Sequence, residues 1–259
     1  VIPLGVLGAA IATLIAQAVS AVLVTVTLMY RTEGMKLCLS QIRMYKRMLQ
    51  SILKIGLPAG FEAIMYSISN IIVQVSINNF GVDTMAAWTA YSKIDFIFWM
   101  INSAFGISVM TFVGQNYGAG KWDRIRRGTK ICLGMALISA VFVSIILMSA
   151  ERFLFGIFVN DAGVVEIGIH MMNVIAPAYL LFAFIEVFSG ALRAQGAVVV
   201  STLITMVGIC VLRMIWVTLV AAHGTLEQVI ICYPITWAAG ALAMSIYYIY
   251  KQRKIFQAR

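Results

Sequence analysis

The amino-acid sequence predicts an all-α membrane protein with about seven transmembrane helices. Hydrophobic residues make up 62% of the 259 residues and charged residues only 11%, whereas a soluble domain is roughly half apolar and a quarter charged. A chain of this length cannot bury so much apolar surface in a soluble fold. Most of the 19 Lys and Arg residues are gathered between long apolar stretches. That distribution is typical of multi-pass proteins whose basic loops face the cytoplasm.

Seven apolar stretches are each long enough to cross about 30 Å of hydrocarbon as a helix. They lie at approximately residues 3–30, 55–79, 85–112, 129–150, 166–191, 198–221 and 228–250. Pro58 falls near the predicted start of the second span, where its missing N–H is tolerated. Pro177 falls in the middle of the fifth span and predicts a kink there.

The loops alternate in charge along the chain. The segments after the first, third and fifth spans and the tail at 251–259 are basic, whereas the other loops are not. This pattern predicts a protein of the plasma (inner) membrane with its N-terminus outside and its C-terminus in the cytoplasm. Membrane topology and anionic lipid explain the positive charge better than binding to nucleic acid does.

Residues 35–54 are amphipathic, with cations on one side. They are interpreted as a helix on the cytoplasmic membrane surface, with a solvated linker helix as the alternative. The chain begins inside a span and lacks the features of a signal peptide, so we expect it to be a portion of a longer protein.

Four charged residues within the apolar spans are candidates for ion coupling: Glu62, Asp95, Glu186 and Arg213. A charge at mid-bilayer costs about 2.5–3.5 kcal/mol on insertion scales. The acids are therefore expected to face water or a cation, or to be protonated, and either state suits coupling to protons or sodium. Arg213 is the expected internal counter-charge, and a purely structural ion pair between Arg213 and one acid is the alternative.

Helical periodicity places polar and aromatic residues beside these acids. Tyr66 shares a face with Glu62, and Tyr179 shares one with Glu186. The third span carries Tyr91, Asp95, Trp99 and Asn102 on one face. An acid among aromatic rings can hold a lipophilic cation. The alternative is that the rings are interface anchors and packing, with Asp95 paired to Lys93 or Arg213.

Nothing in the sequence indicates an enzyme. It contains no nucleophile with a nearby base, no His/Cys metal cluster and no nucleotide motif, so no cofactor other than a coupling ion is expected.

Three motifs, GLPAG at 56–60, TFVGQNYGAGK at 111–121 and SGALRAQG at 189–196, resemble the multidrug and toxic compound extrusion (MATE) transporters. That family has twelve helices in two lobes and exports cationic drugs in exchange for sodium ions or protons. The resemblance implies that residues 1–30 are the last helix of the N-terminal lobe and that 31–54 link the lobes. Residues 55–250 would then form the C-terminal six-helix lobe, with 251–259 as a basic tail.

The resemblance also implies partners and a coupling site. The partners are the N-terminal lobe, the bilayer and an organic cation or drug-like substrate. Some branches use a carboxylate on the helices that carry Glu62 and Glu186, although not at these positions. The resemblance therefore implies a proton or a sodium ion as the coupling ion, with Glu62 and Glu186 as the candidate positions for sodium. Asp95 is compatible with another branch. The isolated half is expected to be inactive. The alternatives are a lipid-linked or metabolite exporter of related fold and, more remotely, a seven-helix receptor.

Overall fold

A computed structural model describes residues 5–31, 37–38, 40, 42–220 and 224–257. In this part of the chain the regular structure is entirely helical. Seven helical runs are long and apolar enough to cross a membrane, one at each stretch that hydropathy predicts. The prediction of an all-α protein with seven transmembrane helices is confirmed.

The first four spans are α1 (Gly5–Tyr30), α2 (Lys46–Asn78), α3 (Val82–Gly118) and α4 (Trp122–Ser149). After the short α5 (Glu151–Gly156), the fifth span consists of α6 (Ala162–Ile175), a 3₁₀ turn (Ala176–Ala178) and α7 (Tyr179–Ala194). The sixth begins with α8 (Val198–Thr205) and includes α9 (Leu212–Ile215). The last comprises α10 (Leu226–Ile230) and α11 (Cys232–Gln257).

Several helices extend beyond the apolar stretches that predicted them. α3 continues to Gly118 and α4 begins at Trp122, so the glycine-rich turn between them is only three residues long. Gly120 takes a positive φ of 67° in this turn, a conformation that glycine adopts without steric cost. The apolar stretch of a sequence shows which residues lie in the hydrocarbon. The helix itself continues into the polar layer, because its backbone hydrogen bonds do not depend on apolar side chains.

Two expectations about the region before the second span are wrong. Residues 35–54 do not form a separate helix, because the described residues between 37 and 45 are not α-helical and 46–54 are the beginning of α2. For the same reason Pro58 lies inside α2 rather than near its start. Proline removes only one donor from the ladder, and the helix continues through it. Whether residues 31–54 act as the inter-lobe linker stays a prediction.

The chain divides into two compact units, one ending at Ile52 and the other starting at Leu53. In the first unit, α1 exposes its apolar side chains along most of its length. This exposure fits a helix that crosses a bilayer, where apolar side chains need not be buried within the protein.

α7 is the central helix of the second unit, because it packs against α3, α4 and α11. The kink that Pro177 predicts is confirmed as the 3₁₀ turn that separates α6 from α7. Glycine permits the closest approach: a Cβ atom on Gly190 would lie 2.8 Å from the carbonyl oxygen of Gly106 on α3. By contrast, α2 approaches the other helices less closely, and its side chains make most of the connections.

The sixth span is irregular. Two π-helical segments, Met206–Val211 and Trp216–Val220, flank α9. π-helical turns are rare and are frequent at functional sites. Arg213 lies in α9, between these two segments.

Candidate functional site

The two acids Glu62 and Glu186 line one cavity of about 310 Å³, which we name the acid cavity. Its wall comes from α2, α3, α7 and α8, and consists of Glu62, Tyr66, Gly106, Ile107, Met110, Phe182, Ile185, Glu186, Ser189, Gly190, Arg193 and Thr205. Three of the residues predicted from sequence, Glu62, Tyr66 and Glu186, therefore share a site. The other six do not line it.

Glu62 of α2 forms an ion pair with Arg193 of α7. Nη2 of Arg193 donates to both carboxylate oxygens of Glu62, at 2.6 and 2.8 Å. Thr202 of α8 donates its hydroxyl to Oε2 at 3.0 Å. The Glu62 side chain is only 13% exposed and that of Arg193 is 28% exposed, so the pair is partly shielded from solvent. The expectation that Arg213 is the counter-charge is wrong for Glu62, because Arg193 occupies that position.

Glu186 lies seven residues before Arg193 on the same face of α7. It forms neither a hydrogen bond nor an ion pair with any side chain in the described part of the chain. Its carboxylate lies against α3 at Gly106, where a Cβ atom would be 2.1 Å from Oε1 of Glu186. The acid cavity therefore holds one paired and one unpaired carboxylate.

Asp95 occupies a different place, inside the packed part of the second unit. Nε1 of Trp99 donates to its Oδ2 at 2.6 Å, and the hydroxyl of Tyr179 donates to its Oδ1. The hydroxyl of Tyr91 lies 3.3 Å from that of Tyr179. No cation lies within ion-pair distance of Asp95 among the described residues. This carboxylate is thus bound by neutral hydrogen-bond donors. It is paired with neither Lys93 nor Arg213.

The rings around Asp95 pack closely. Phe98 stacks on Tyr179 with centroids 3.8 Å apart, and Trp237 packs against both Trp99 and Tyr179. Trp99 also contacts Phe182, a wall residue of the acid cavity, with centroids 4.7 Å apart. This aromatic packing connects Asp95 to the acid cavity, but Asp95 itself does not reach it. Asn102 is buried on the same face of α3.

Arg213 is fully buried yet has no carboxylate partner in the described part of the lobe. Its Nη1 donates to Oδ1 of Asn70 at 3.1 Å. Its guanidinium carbon lies 4.2 Å from the ring centroid of Tyr233 and 5.7 Å from that of Tyr66. Nε and Nη2 form no hydrogen bond there. Aromatic faces therefore supply much of the stabilisation of this cation.

Both side chains that donate hydrogen bonds to Glu62, Arg193 and Thr202, are absent from the predicted site residues. Arg193 shares a helical face with Glu186, and that periodicity was a usable signal. Thr202 had no such signal, because its partner Glu62 lies 140 residues away. Periodicity finds residues on one face of one helix, and it does not show which helices face each other.

Comparisons with known proteins agree with this architecture. A model of the MatE family matches residues 58–219. The chain is 26% identical over 261 residues to the probable multidrug resistance protein YoeA of Bacillus subtilis. This alignment covers 97% of the chain and 56% of that protein. It is 23% identical to the multidrug export protein MepA of Staphylococcus saprophyticus, over 84% of the chain and 51% of that protein.

A solved structure gives the same fold. The outward-facing conformation of a multidrug resistance MATE family transporter of the MOP superfamily superposes with a TM-score of 0.88 at 18% identity. The superposition covers 98% of this chain and 59% of that one. The chain spans about half the length of the curated relatives it matches. Because the family model covers more than half of the chain, including every wall residue of the acid cavity, the chain belongs to the MatE family.

Proposed function

We propose that this chain forms about half of a secondary multidrug exporter, and that residues 55–250 are its C-terminal lobe. Its coverage of about half the length of relatives named for multidrug export supports this. In this proposal residues 1–30 are the last helix of the other lobe, 31–54 connect the lobes and 251–259 are a basic tail. The two lobes would alternate access to a central substrate site.

The proposed transporter lies in the plasma membrane with its C-terminus in the cytoplasm. Support comes from Lys and Arg residues, which are concentrated after α1, at the beginning of α4 and at the end of α11. Basic loops of this kind remain on the cytoplasmic side during insertion.

The acid cavity is the proposed coupling site, and one observation carries the proposal: Glu62 is paired with Arg193, while Glu186 in the same cavity is paired with none of the described residues. With both acids ionised, two carboxylates and one guanidinium leave a single negative charge. A proton, a sodium ion or an organic cation can neutralise it. Because only one of them can do so at a time, binding of the coupling ion and binding of the substrate are antagonistic.

The walls of the acid cavity suit an organic cation. Tyr66 and Phe182 contribute aromatic side chains, and Ile107 and Met110 contribute apolar ones. An aromatic ring attracts a cation by about 0.5–2 kcal/mol, and methionine adapts to ligands of different shape. This combination of one negative charge with apolar and aromatic walls supports a range of lipophilic cations as substrates.

Ethidium efflux from liposomes that contain the complete transporter tests the proposal. A proton gradient and a sodium gradient are imposed separately on the wild type and on Glu186→Gln and Glu62→Gln. We expect one gradient to drive efflux and Glu186→Gln to abolish that dependence. Glu166→Gln is the matched control, since Glu166 forms an exposed ion pair with Arg152 away from the cavity.

The other outcomes separate the alternatives. Gradient-driven efflux that survives both changes would assign coupling to the other lobe. A folded transporter that moves no organic cation under either gradient would favour a lipid-linked or metabolite exporter. The chain alone is expected not to transport, because half of the central site would be missing.

A further inference from the structure

A second cavity lies apart from the acid cavity, between the beginning of α4 and the end of α11. Its volume is about 440 Å³, and we name it the basic cavity. Its α4 side includes Trp122, Asp123, Arg126 and Lys130, and its α11 side includes Ile249 and Arg253. None of the transport residues discussed above lines it.

The charge of the basic cavity is unbalanced. Arg126, Lys130 and Arg253 face it together with one acid, Asp123, which leaves a formal charge of +2. None of the three cations forms an ion pair with a described residue. Three cations that converge on one cavity repel one another, and an anion between them removes that repulsion.

The end of α11 is held in place independently of these cations. Nζ of Lys251 donates to the backbone carbonyl of Gln195 at 3.0 Å, and Nε2 of Gln252 donates to Oε1 of Gln195 at 3.0 Å. Gln195 itself is buried after the end of α7. These bonds fix the last turns of α11, so the basic cavity is bounded by a helix with a defined position.

The basic cavity lies at a membrane surface, because Trp122 is the first residue of one span and Arg253 lies close to the end of another. Ile249, one turn before Arg253, is 49% exposed and extends the wall towards the apolar part of α11. Cations at the surface beside an apolar wall match a lipid, which has a charged headgroup above acyl chains. Basic pockets between transmembrane helices bind anionic headgroups in this way.

We propose that the basic cavity binds the phosphate-bearing headgroup of an anionic phospholipid from the adjacent leaflet. Arg126, Lys130 and Arg253 contact the phosphate, Trp122 lies at the interface, and one acyl chain follows α11 past Ile249. This site is additional to the transport function and does not depend on the coupling ion.

Fluorescence quenching in nanodiscs tests the site with phosphatidylglycerol as the probe. Brominated phosphatidylglycerol or brominated phosphatidylcholine is added in increasing amounts to the complete transporter in phosphatidylcholine nanodiscs. The quenching lost in Trp122→Phe is the part that reports on the basic cavity. We expect saturable quenching by phosphatidylglycerol only. In Arg126→Gln/Lys130→Gln, half-saturation should require about thirtyfold more lipid, since each of the two surface cations contributes about 1 kcal/mol.

The matched control is Arg124→Gln/Arg127→Gln, which removes the same charge from the first turns of α4 but outside the cavity. Equal weakening by both double variants would show diffuse surface attraction and overturn the proposal. Equal quenching by the two lipids would also overturn it, as would displacement by millimolar inorganic phosphate. Native mass spectrometry, which counts phosphatidylglycerol molecules retained by each variant, provides a second measurement that does not depend on Trp122.

Discussion

Gly106 and Glu186 fit together only because Gly106 has no side chain: a Cβ atom there would lie 2.1 Å from Oε1 of Glu186. The backbone of α3 thus forms the surface against which the unpaired carboxylate of the acid cavity rests. The same glycine meets Gly190, so one position sets both the spacing of α3 and α7 and the direction of Glu186.

Gly106→Ala should therefore impair ion coupling. The added methyl group must displace the Glu186 side chain, and we expect gradient-driven efflux to fall by about tenfold or more, as small misplacements at a reacting site do. Gly134→Ala is the matched control, because Gly134 lies within α4 and a Cβ atom added there would meet nothing within 4 Å. It should retain activity and gain up to about 1 kcal/mol of helix stability. Equal activity of the two variants would contradict the packing argument.

Removing Arg193 should destabilise the lobe as well as inactivate it. Arg193→Gln leaves Glu62 with only the hydroxyl of Thr202, and we expect a loss of about 1–3 kcal/mol, the cost of an unsatisfied buried group. Thermal unfolding in detergent measures this loss. Arg193→Gln combined with Glu62→Gln should recover much of it, because the uncompensated charge is gone. Failure of the double variant to recover would show that the pair does not stabilise the fold.

Asp95 is expected to be a structural partner of Tyr179 in this lobe. Tyr179→Phe removes one of its two donors and should cost about 1–3 kcal/mol of stability. In an Asp95→Asn background the same change should cost clearly less, because a neutral amide tolerates the lost donor better than a carboxylate does. Tyr250→Phe, at an exposed position, is the control and should be neutral. Equal costs of Tyr179→Phe in both backgrounds would show that the bond to Asp95 contributes little.

Arg213→Met gives a contrasting case. Burial of an unpaired charge costs stability, and among the described residues Nε and Nη2 of Arg213 have no hydrogen-bond partner. We expect the free energy of unfolding, measured in detergent, to stay within about 1 kcal/mol of wild type, because removal of the unpaired charge offsets the lost hydrogen bond to Asn70. A loss of stability of about 3–5 kcal/mol would show instead that the cation is paired in the folded transporter.

The sequence was sufficient for the spans, because seven apolar stretches have the length that a bilayer requires. It also placed Pro177 at a break and Asp95 among aromatic residues. It did not show that Glu62 meets Arg193 or that Arg213 faces Tyr233. Those relations depend on which helices are neighbours, and the hydrophobic pattern of each span carries little information about that, because lipid and protein both accept apolar side chains.

The start of α2 was mispredicted for a related reason. Hydropathy ends a span at the first polar residues, whereas Lys46 to Lys54 continue the helix beyond the apolar stretch. A helix that extends out of the hydrocarbon satisfies its own backbone groups in either solvent, so composition alone does not mark its end.

The two π-helical segments of the sixth span have a consequence for motion. Each π turn holds a residue more than an α turn would, so a change from π to α hydrogen bonding turns the following residues by about 100°. Such a change in Met206–Val211 would rotate the guanidinium of Arg213 out of its position beside Asn70 and Tyr233. A change of hydrogen bonding in the sixth span would thus exchange the side chains that this span presents to its neighbours without a tilt of the whole helix.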